Sequence, residues 1–158
     1  MTAPQRVVVR RVDAATTLPL RAAVLRTGKD PSTAVHEGDD APDTWFFAAL
    51  TPDGGVLSTV NVRPGAPDFD RDGTGWWWLR GMATAPEARG RGHARAVVTA
   101  ALGHVDALGG GVWCNARIPA LGFYEKLGFE RIGEEWTVPH TGPHVRMVRW
   151  PRGASGSR

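Results

Sequence analysis

One cysteine, Cys114, is all the thiol chemistry that 158 residues contain, and a lone thiol excludes an internal disulfide framework. Nor is there an apolar run approaching the ~18 residues that a membrane-crossing helix needs. Met1 to Arg11 lack the apolar stretch of a secretory signal, so the expectation is a cytoplasmic protein without a membrane partner. Lysine is almost missing: Lys29 and Lys126 are the only two among 19 basic residues. Positive charge is therefore carried by guanidinium groups, suited to bidentate contacts with phosphate or carboxylate. Internal repeats and a linker long enough to divide the chain are also lacking.

What is present describes one folded domain. Hydrophobic residues make up 42% and charged residues 22% of the chain, close to the soluble globular average and far from disordered or coiled-coil composition. The net charge is only +3, but it is unevenly placed. Arg80, Arg89, Arg91 and Arg95 face the single acid Glu87, whereas Asp30, Glu37, Asp39, Asp40 and Asp43 face Lys29. One segment should seek anions and the other cations.

Arg6 to Val12 is a β-branched run that predicts a strand. Asp13 to Arg26 carries Leu18, Ala22 and Leu25 at helical spacing behind possible caps at Asp13 and Thr17. Thr44 to Thr51 and Val56 to Arg63 flank Pro52-Asp53-Gly54-Gly55, a hairpin signature. Trp76 to Thr84 reads as a fourth strand. From Gly92, Ala94, Val97, Val98, Ala101, Leu102, Val105 and Leu108 recur at threes and fours, the pattern of a helix with one buried face. Gly109-Gly110-Gly111 ends it. Val112 to Asn115 predicts a short strand and Pro119 to Leu127 a short helix closed by Gly128. Phe129 to Val138 and Val145 to Trp150 read as last strands around a Pro139 to His144 loop.

Arg89-Gly90-Arg91-Gly92-His93-Ala94 lies between a predicted strand and a predicted helix, where backbone N–H groups and the positive end of a helix dipole meet an anion. On the loop sequence alone an ordinary glycine-rich turn is an equal alternative. Other phosphate motifs fit worse: Gly-Lys-Ser/Thr is absent, and a dinucleotide fingerprint would need glycine where Arg95 stands.

The run Leu79-Arg80-Gly81-Met82-Ala83-Thr84-Ala85-Pro86-Glu87-Ala88-Arg89-Gly90-Arg91-Gly92 resembles the fourth-strand and pyrophosphate-loop motif of the GNAT family, the GCN5-related N-acetyltransferases. Arg89, Gly92 and Ala94 match its Gln/Arg-x-x-Gly-x-Gly/Ala pattern. Asn115-Ala116-Arg117, Ala120 and Phe123-Tyr124-Glu125-Lys126-Leu127-Gly128-Phe129 are similar to the family's fifth strand and fourth helix. The resemblance implies an α/β fold of the α+β type, with a mixed, mostly antiparallel sheet of about seven strands, splayed between strands four and five, and about four helices. It covers 1–150 as a single acyl-CoA N-acyltransferase domain and leaves 151–158 as a disordered tail.

Its implied chemistry is acetyl transfer from acetyl-CoA, as co-substrate, to a primary amine of a small molecule by direct attack in a ternary complex. Met82, Ala83, Thr84, Arg89, Gly90, Arg91, Gly92, His93, Ala94, Arg95, Asn115 and Tyr124 are the implied cofactor-binding residues. The backbone N–H groups near Met82 and Ala83 would polarise the thioester carbonyl. Tyr124, the only tyrosine, holds the family's thiolate-protonating position, with a half-buried packing role as its alternative. Glu134, Glu135 and His144 are candidate bases on or beside the last strands, where the resemblance places the acceptor. A homodimer is a candidate assembly.

Other readings stay open: a peptide or protein acetyltransferase, a non-catalytic acyl-CoA sensor, and a nucleic-acid-binding module built on Trp76-Trp77-Trp78 and the arginines. Packing is preferred for the tryptophans, and no nucleic-acid partner is expected. Period-two alternation puts Cys114 on the face opposite Asn115, as a buried structural thiol. Asp68 to Gly73 copies half of a calcium loop but lacks flanking helices and a ligand at Leu79, so a solvated loop is expected. His140 and His144 lie in a Pro/Gly-broken segment, and no metal is expected. The acids from Asp30 to Asp43 would concentrate a cationic amine or simply solvate a loop, whereas Arg21 and Arg26, if they face the same pocket, would grip a substrate carboxylate or phosphate.

Overall fold

The computed structural model describes residues 6–139 and 141–152; 1–5, His140 and 153–158, most of the expected tail, lie outside them. The elements run β1 (Val8–Val12), α1 (Ala14–Leu25), β2 (Trp45–Leu50), β3 (Val56–Pro64), β4 (Trp76–Thr84), α2 (His93–Ala107), β5 (Gly111–Arg117), α3 (Leu121–Glu125), β6 (Glu130–Val138) and β7 (Gly142–Arg149). They build a seven-stranded sheet in the order β1-β2-β3-β4-β5-β7-β6. The β1–β2, β2–β3, β5–β7 and β7–β6 pairs are antiparallel, and β4–β5 is parallel. The described residues hold three α-helices where about four were expected. Between α1 and β2 only a 3-10 turn forms, Pro31–Ala34, because proline at its start and the glycine and aspartates beyond it disfavour continuation into an α-helix.

Two compact units divide the chain: residues up to 63 with 81–101, and 64–80 with residues from 102 onward. In the first, Asp13 caps α1 by accepting from the Thr16 amide at 3.0 Å. The face that α1 buries is Ala14, Thr17, Arg21 and Ala22; of the expected line through Leu18, Ala22 and Leu25, only Ala22 is buried, Leu18 being half-buried and Leu25 37% exposed. A polar pair can turn inward because its donors are all met. Thr17 donates to the Ala14 carbonyl at 2.9 Å, and Arg21 donates to Thr17 at 3.0 Å and to the Ala34 carbonyl at 2.7 Å.

In the second unit the parallel ladder pairs Trp76, Trp77 and Trp78 with Gly111, Val112 and Trp113. Past that third pair β4 carries on through Leu79 and Arg80 while β5 carries on through Cys114 and Asn115, so the ladder is much shorter than its strands. Trp76, Trp113 and Val148 form a buried cluster joined by Trp78, Ile132 and Trp150, whereas Trp77 turns to the other face and meets His104 edge-on at 5.3 Å. The three tryptophans therefore pack. The expected solvated loop at Asp68 is also engaged: Asp70 accepts from Trp76 Nε1 at 2.8 Å, and Asp68 faces Arg146.

Both predicted glycine stops cap helices by the same device. Gly110 N–H donates to Val105 O and Gly109 N–H to Asp106 O, with Gly109 at φ +74. Phe129 N–H donates to Tyr124 O and Gly128 N–H to Glu125 O, with Gly128 at φ +96. This is the Schellman pattern, and its accompanying apolar contact is here Tyr124 against Phe129, 5.4 Å between ring centroids. The helix stop thus also fixes the tyrosine.

Candidate active site

The loop singled out in the sequence belongs to the first unit. Gly90 and Gly92 take φ +78 and +83, and a Cβ built on either would meet nothing within 4 Å. Open space lies before the backbone at both points. Arg89, Gly90, Arg91, Gly92 and Arg95 are exposed, His93 and Ala94 half-buried. Helix α2 begins at His93, and its first turn is closed by Ala96 N–H donating to Gly92 O at 3.0 Å.

Upstream, β4 contains a residue that the sequence analysis quoted without assigning it a role. Gly81 takes φ +67, and a Cβ there would sit 2.7 Å from Asn61 Nδ2. A glycine in the left-handed region inside a strand sets the amides that follow, here those of Met82 and Ala83, on a course that other residues rarely take. Its signal in the sequence is an isolated glycine in an apolar strand pattern. Met82 and Thr84 are half-buried and Ala83 is 2% exposed; Thr84 shares a 2.8 Å hydroxyl contact with Ser58.

Of the five carboxylates in the acidic segment, Asp39 and Asp30 are held within the fold. Asp39 is buried and receives Arg63 Nη2 at 2.7 Å, Arg21 Nη1 at 3.3 Å and the His36 amide at 3.0 Å. Burial opposes its ionisation, but the His36 amide, Arg63 and Arg21 outweigh this and hold the carboxyl below its ordinary range. Arg21, 2% exposed, is committed to the fold and not to a substrate anion. Asp30 accepts from Ser32 N–H, and Arg26 donates to Leu25 and Thr33 carbonyls.

The second unit holds the other candidates. Tyr124 is 6% exposed, with Phe123 and Phe129 edge-on to its ring at 5.1 and 5.4 Å. Burial, with a smaller contribution from Cys114, pushes its phenol well above the ordinary value. It stays protonated throughout the neutral range and is a permanent donor. Cys114, 2% exposed, is pushed up to about 12 by burial, so at pH 8 roughly one thiol in ten thousand is ionised. Iodoacetamide should leave the folded chain unlabelled over hours and react within minutes once it is unfolded, as intact-mass spectrometry would read. Rapid labelling of folded protein would make Cys114 a reactive thiol.

Asn115 is exposed, as alternation required, and accepts from Arg146 Nε at 2.5 Å. Glu134 and Glu135 are exposed within the irregularity of β6 between Ile132 and Trp136. His144 is half-buried, opposite both Arg117 and Trp136 in register, and stacks on the Trp136 ring at 5.8 Å. Its Nδ1 lies 2.9 Å from the Gly142 carbonyl. A carbonyl only accepts, so Nδ1 is the donor in this contact, and in the neutral ring Nε2 is the acceptor.

The same sheet face carries an aromatic and cationic ladder that sequence reasoning missed. Arg80 lies over Trp78 at 4.1 Å, Trp78 stacks on Trp113 at 5.1 Å, and Arg146 lies over Trp113 and Trp136 at 5.0 and 5.6 Å. Its signal was the period-two series Trp113, Asn115, Arg117 on β5 and His144, Arg146 on β7. Among the described residues no three His, Cys, Asp or Glu side chains gather as a metal site, and no helix is long and apolar enough to cross a membrane.

A mixed sheet with one short parallel pair and a glycine-opened loop running into the longest helix are features of the acyltransferase class. The profile of the Acetyltransferase (GNAT) family matches residues 17–129, and the chain belongs to that family. It is 28% identical over 143 residues to the uncharacterized N-acetyltransferase YitI of Bacillus subtilis strain 168, covering 89% of this chain and 94% of that one. In fold it is similar to Escherichia coli ElaA, with a TM-score of 0.74 at 16% identity over 91% of this chain and 99% of that one. It is likewise similar to a Sinorhizobium meliloti GNAT superfamily phosphinothricin acetyltransferase in complex with AcCoA, with a TM-score of 0.72 at 18% identity over 96% and 92%.

Proposed function

We propose that the chain moves an acetyl group from acetyl-CoA to the primary amine of a small molecule by direct attack in a ternary complex. The observation that carries this is the loop Arg89 to Ala94, whose two left-handed glycines leave open space before a helix start, the arrangement that receives a pyrophosphate. Backbone N–H groups do most of the holding, with Arg89, Arg91 and Arg95 adding charge. The amides after Gly81, those of Met82 and Ala83, polarise the thioester carbonyl as it gathers negative charge. Asn115 steadies the bound cofactor.

The proton account then runs through two side chains. An ammonium must lose one proton before it can attack, and one of His144, Glu134 and Glu135 takes it. The N–C bond forms and the C–S bond breaks. The second amine proton ends on sulfur, while Tyr124 O–H donates a hydrogen bond to the thiolate as it departs. Because its phenol is a weaker acid than a thiol, it stabilises this anion without giving up its own proton for good.

Gly92→Val tests the loop. The variant puts bulk where the pyrophosphate would approach and a β-branched residue at φ +83, a strain of about 1–3 kcal/mol. Calorimetry should show acetyl-CoA affinity at least about tenfold weaker, the scale of one lost hydrogen bond to a charged group, while circular dichroism confirms the fold. Parental affinity would place the cofactor elsewhere.

A further inference from the structure

A depression of about 330 Å³ in the second unit lies on the sheet face of β6 and β7, a volume at the low end of metabolite sites. Its floor holds Arg146, whose side chain is 17% exposed. Its walls are Phe69, Ile132 and Trp136, and its rim carries Asp68 and Glu134. Gly133, at φ +78 within the β6 irregularity, is where the chain carrying Glu134 leaves the ladder.

Arg146 is poorly neutralised for so covered a cation. Nε donates to the neutral amide oxygen of Asn115, and Nη2 comes only within 3.5 Å of Asp68, whose side chain is 82% exposed. Elsewhere in the same unit Arg149 is held by Asp106 through two bonds of 2.7 and 3.0 Å. The groove thus offers one desolvated guanidinium below two carboxylates, between apolar walls. A simple anion would be repelled by the rim, and a simple amine would leave the floor unmatched. An occupant that carries both charges and an apolar body satisfies all three.

We propose that this groove binds a free α-amino acid with a large apolar side chain, carboxylate on Arg146, ammonium toward Glu134 and Asp68, side chain against Trp136 and Phe69. Resting on the acetyl-transfer reading above, it makes such amino acids the acceptor class. A residue at the end of a peptide has lost one of the two charges and a residue inside it both, which separates this occupant from a protein substrate.

The test titrates the full chain, with and without CoA, by calorimetry against L-phenylalanine, its amide, 3-phenylpropionate and a Phe-Ala dipeptide. L-Phenylalanine should bind at least about tenfold more tightly than each of the others, the scale of one charge-assisted contact. Arg146→Gln should erase that preference. Since this change also disturbs the packing on Trp113, Glu134→Gln supplies a gentler arm: it should weaken L-phenylalanine about fivefold or more while leaving 3-phenylpropionate unchanged or tighter. Equal binding of the four probes, or none with or without CoA, overturns the assignment. CoA-thiol release separates the two claims. Acetylation of amines regardless of a carboxylate sinks the groove and keeps acetyl transfer. L-Phenylalanine binding without thiol release, while acetyl-CoA binds, keeps the groove and sinks acetyl transfer.

Discussion

Tyr124→Phe should lower turnover by about a hundredfold, the lower end for a lost proton-donating group, while acetyl-CoA affinity stays close to the parent's. The substitution keeps the ring that Phe123 and Phe129 hold from either side and removes only the hydroxyl, so packing contributes little to the difference. Because burial raises the phenol far above neutral pH, the tyrosine does not titrate in the working range. The pH–rate profile of the variant should therefore keep the parent's shape at a lower height. Steady-state and single-turnover CoA release between pH 6 and 9 would measure both shape and height. Unchanged single-turnover rates would reduce Tyr124 to packing.

The second large effect is on stability. Asp39 is the single carboxylate shared by two arginines that are 2% and 8% exposed, Arg21 and Arg63. Asp39→Asn keeps the size and strands both guanidinium groups without an anion. Breaking a buried pair by removing one partner costs about 3–5 kcal/mol, against a total of roughly 5–15 for a domain. Urea unfolding followed by circular dichroism should show that loss, and a change under about 1 kcal/mol would refute the shared-anion account. The sign with pH follows from the depressed carboxyl. Its stabilisation is fully present above the unfolded value near 3.9 and is lost as pH falls through the lower folded value. The Asn variant should show a shallower acid limb than the parent, since Asp13, Asp30 and Asp53, whose carboxyls hydrogen bonds also hold low, remain in it.

The legible parts of this protein are those whose signal is local. Glycine at Gly109 and Gly128 stops a helix because only a residue tolerant of positive φ closes the Schellman turn, and both stops stand where the sequence placed them. The period of α2 and the alternation that buries Cys114 and exposes Asn115 need nothing beyond the geometry of one helix and one strand. A motif with two glycines before a helix and a second around Tyr124 sufficed for the family. Helix α1 was misjudged because apolar spacing presumes that leucines go inward, whereas here Thr17 and Arg21 do.

That reversal marks the boundary. Asp39 lies 18 positions from Arg21 and 24 from Arg63, and no local pattern reveals that one carboxylate neutralises both, so acids that read as a cationic-substrate lure include a structural anion. The Arg146 groove has the same origin: Asp68 and Arg146 are 78 positions apart, and Asn115, Trp113 and Trp136 reach that arginine only through the register of β5, β7 and β6. Sequence by itself determined the elements, their stops and the family, because each rests on bonding within a few residues. Tertiary structure decided which charges are spent on the fold and which remain for a ligand, because neutralisation depends on distance and burial in space, and neither is written in the order of the chain.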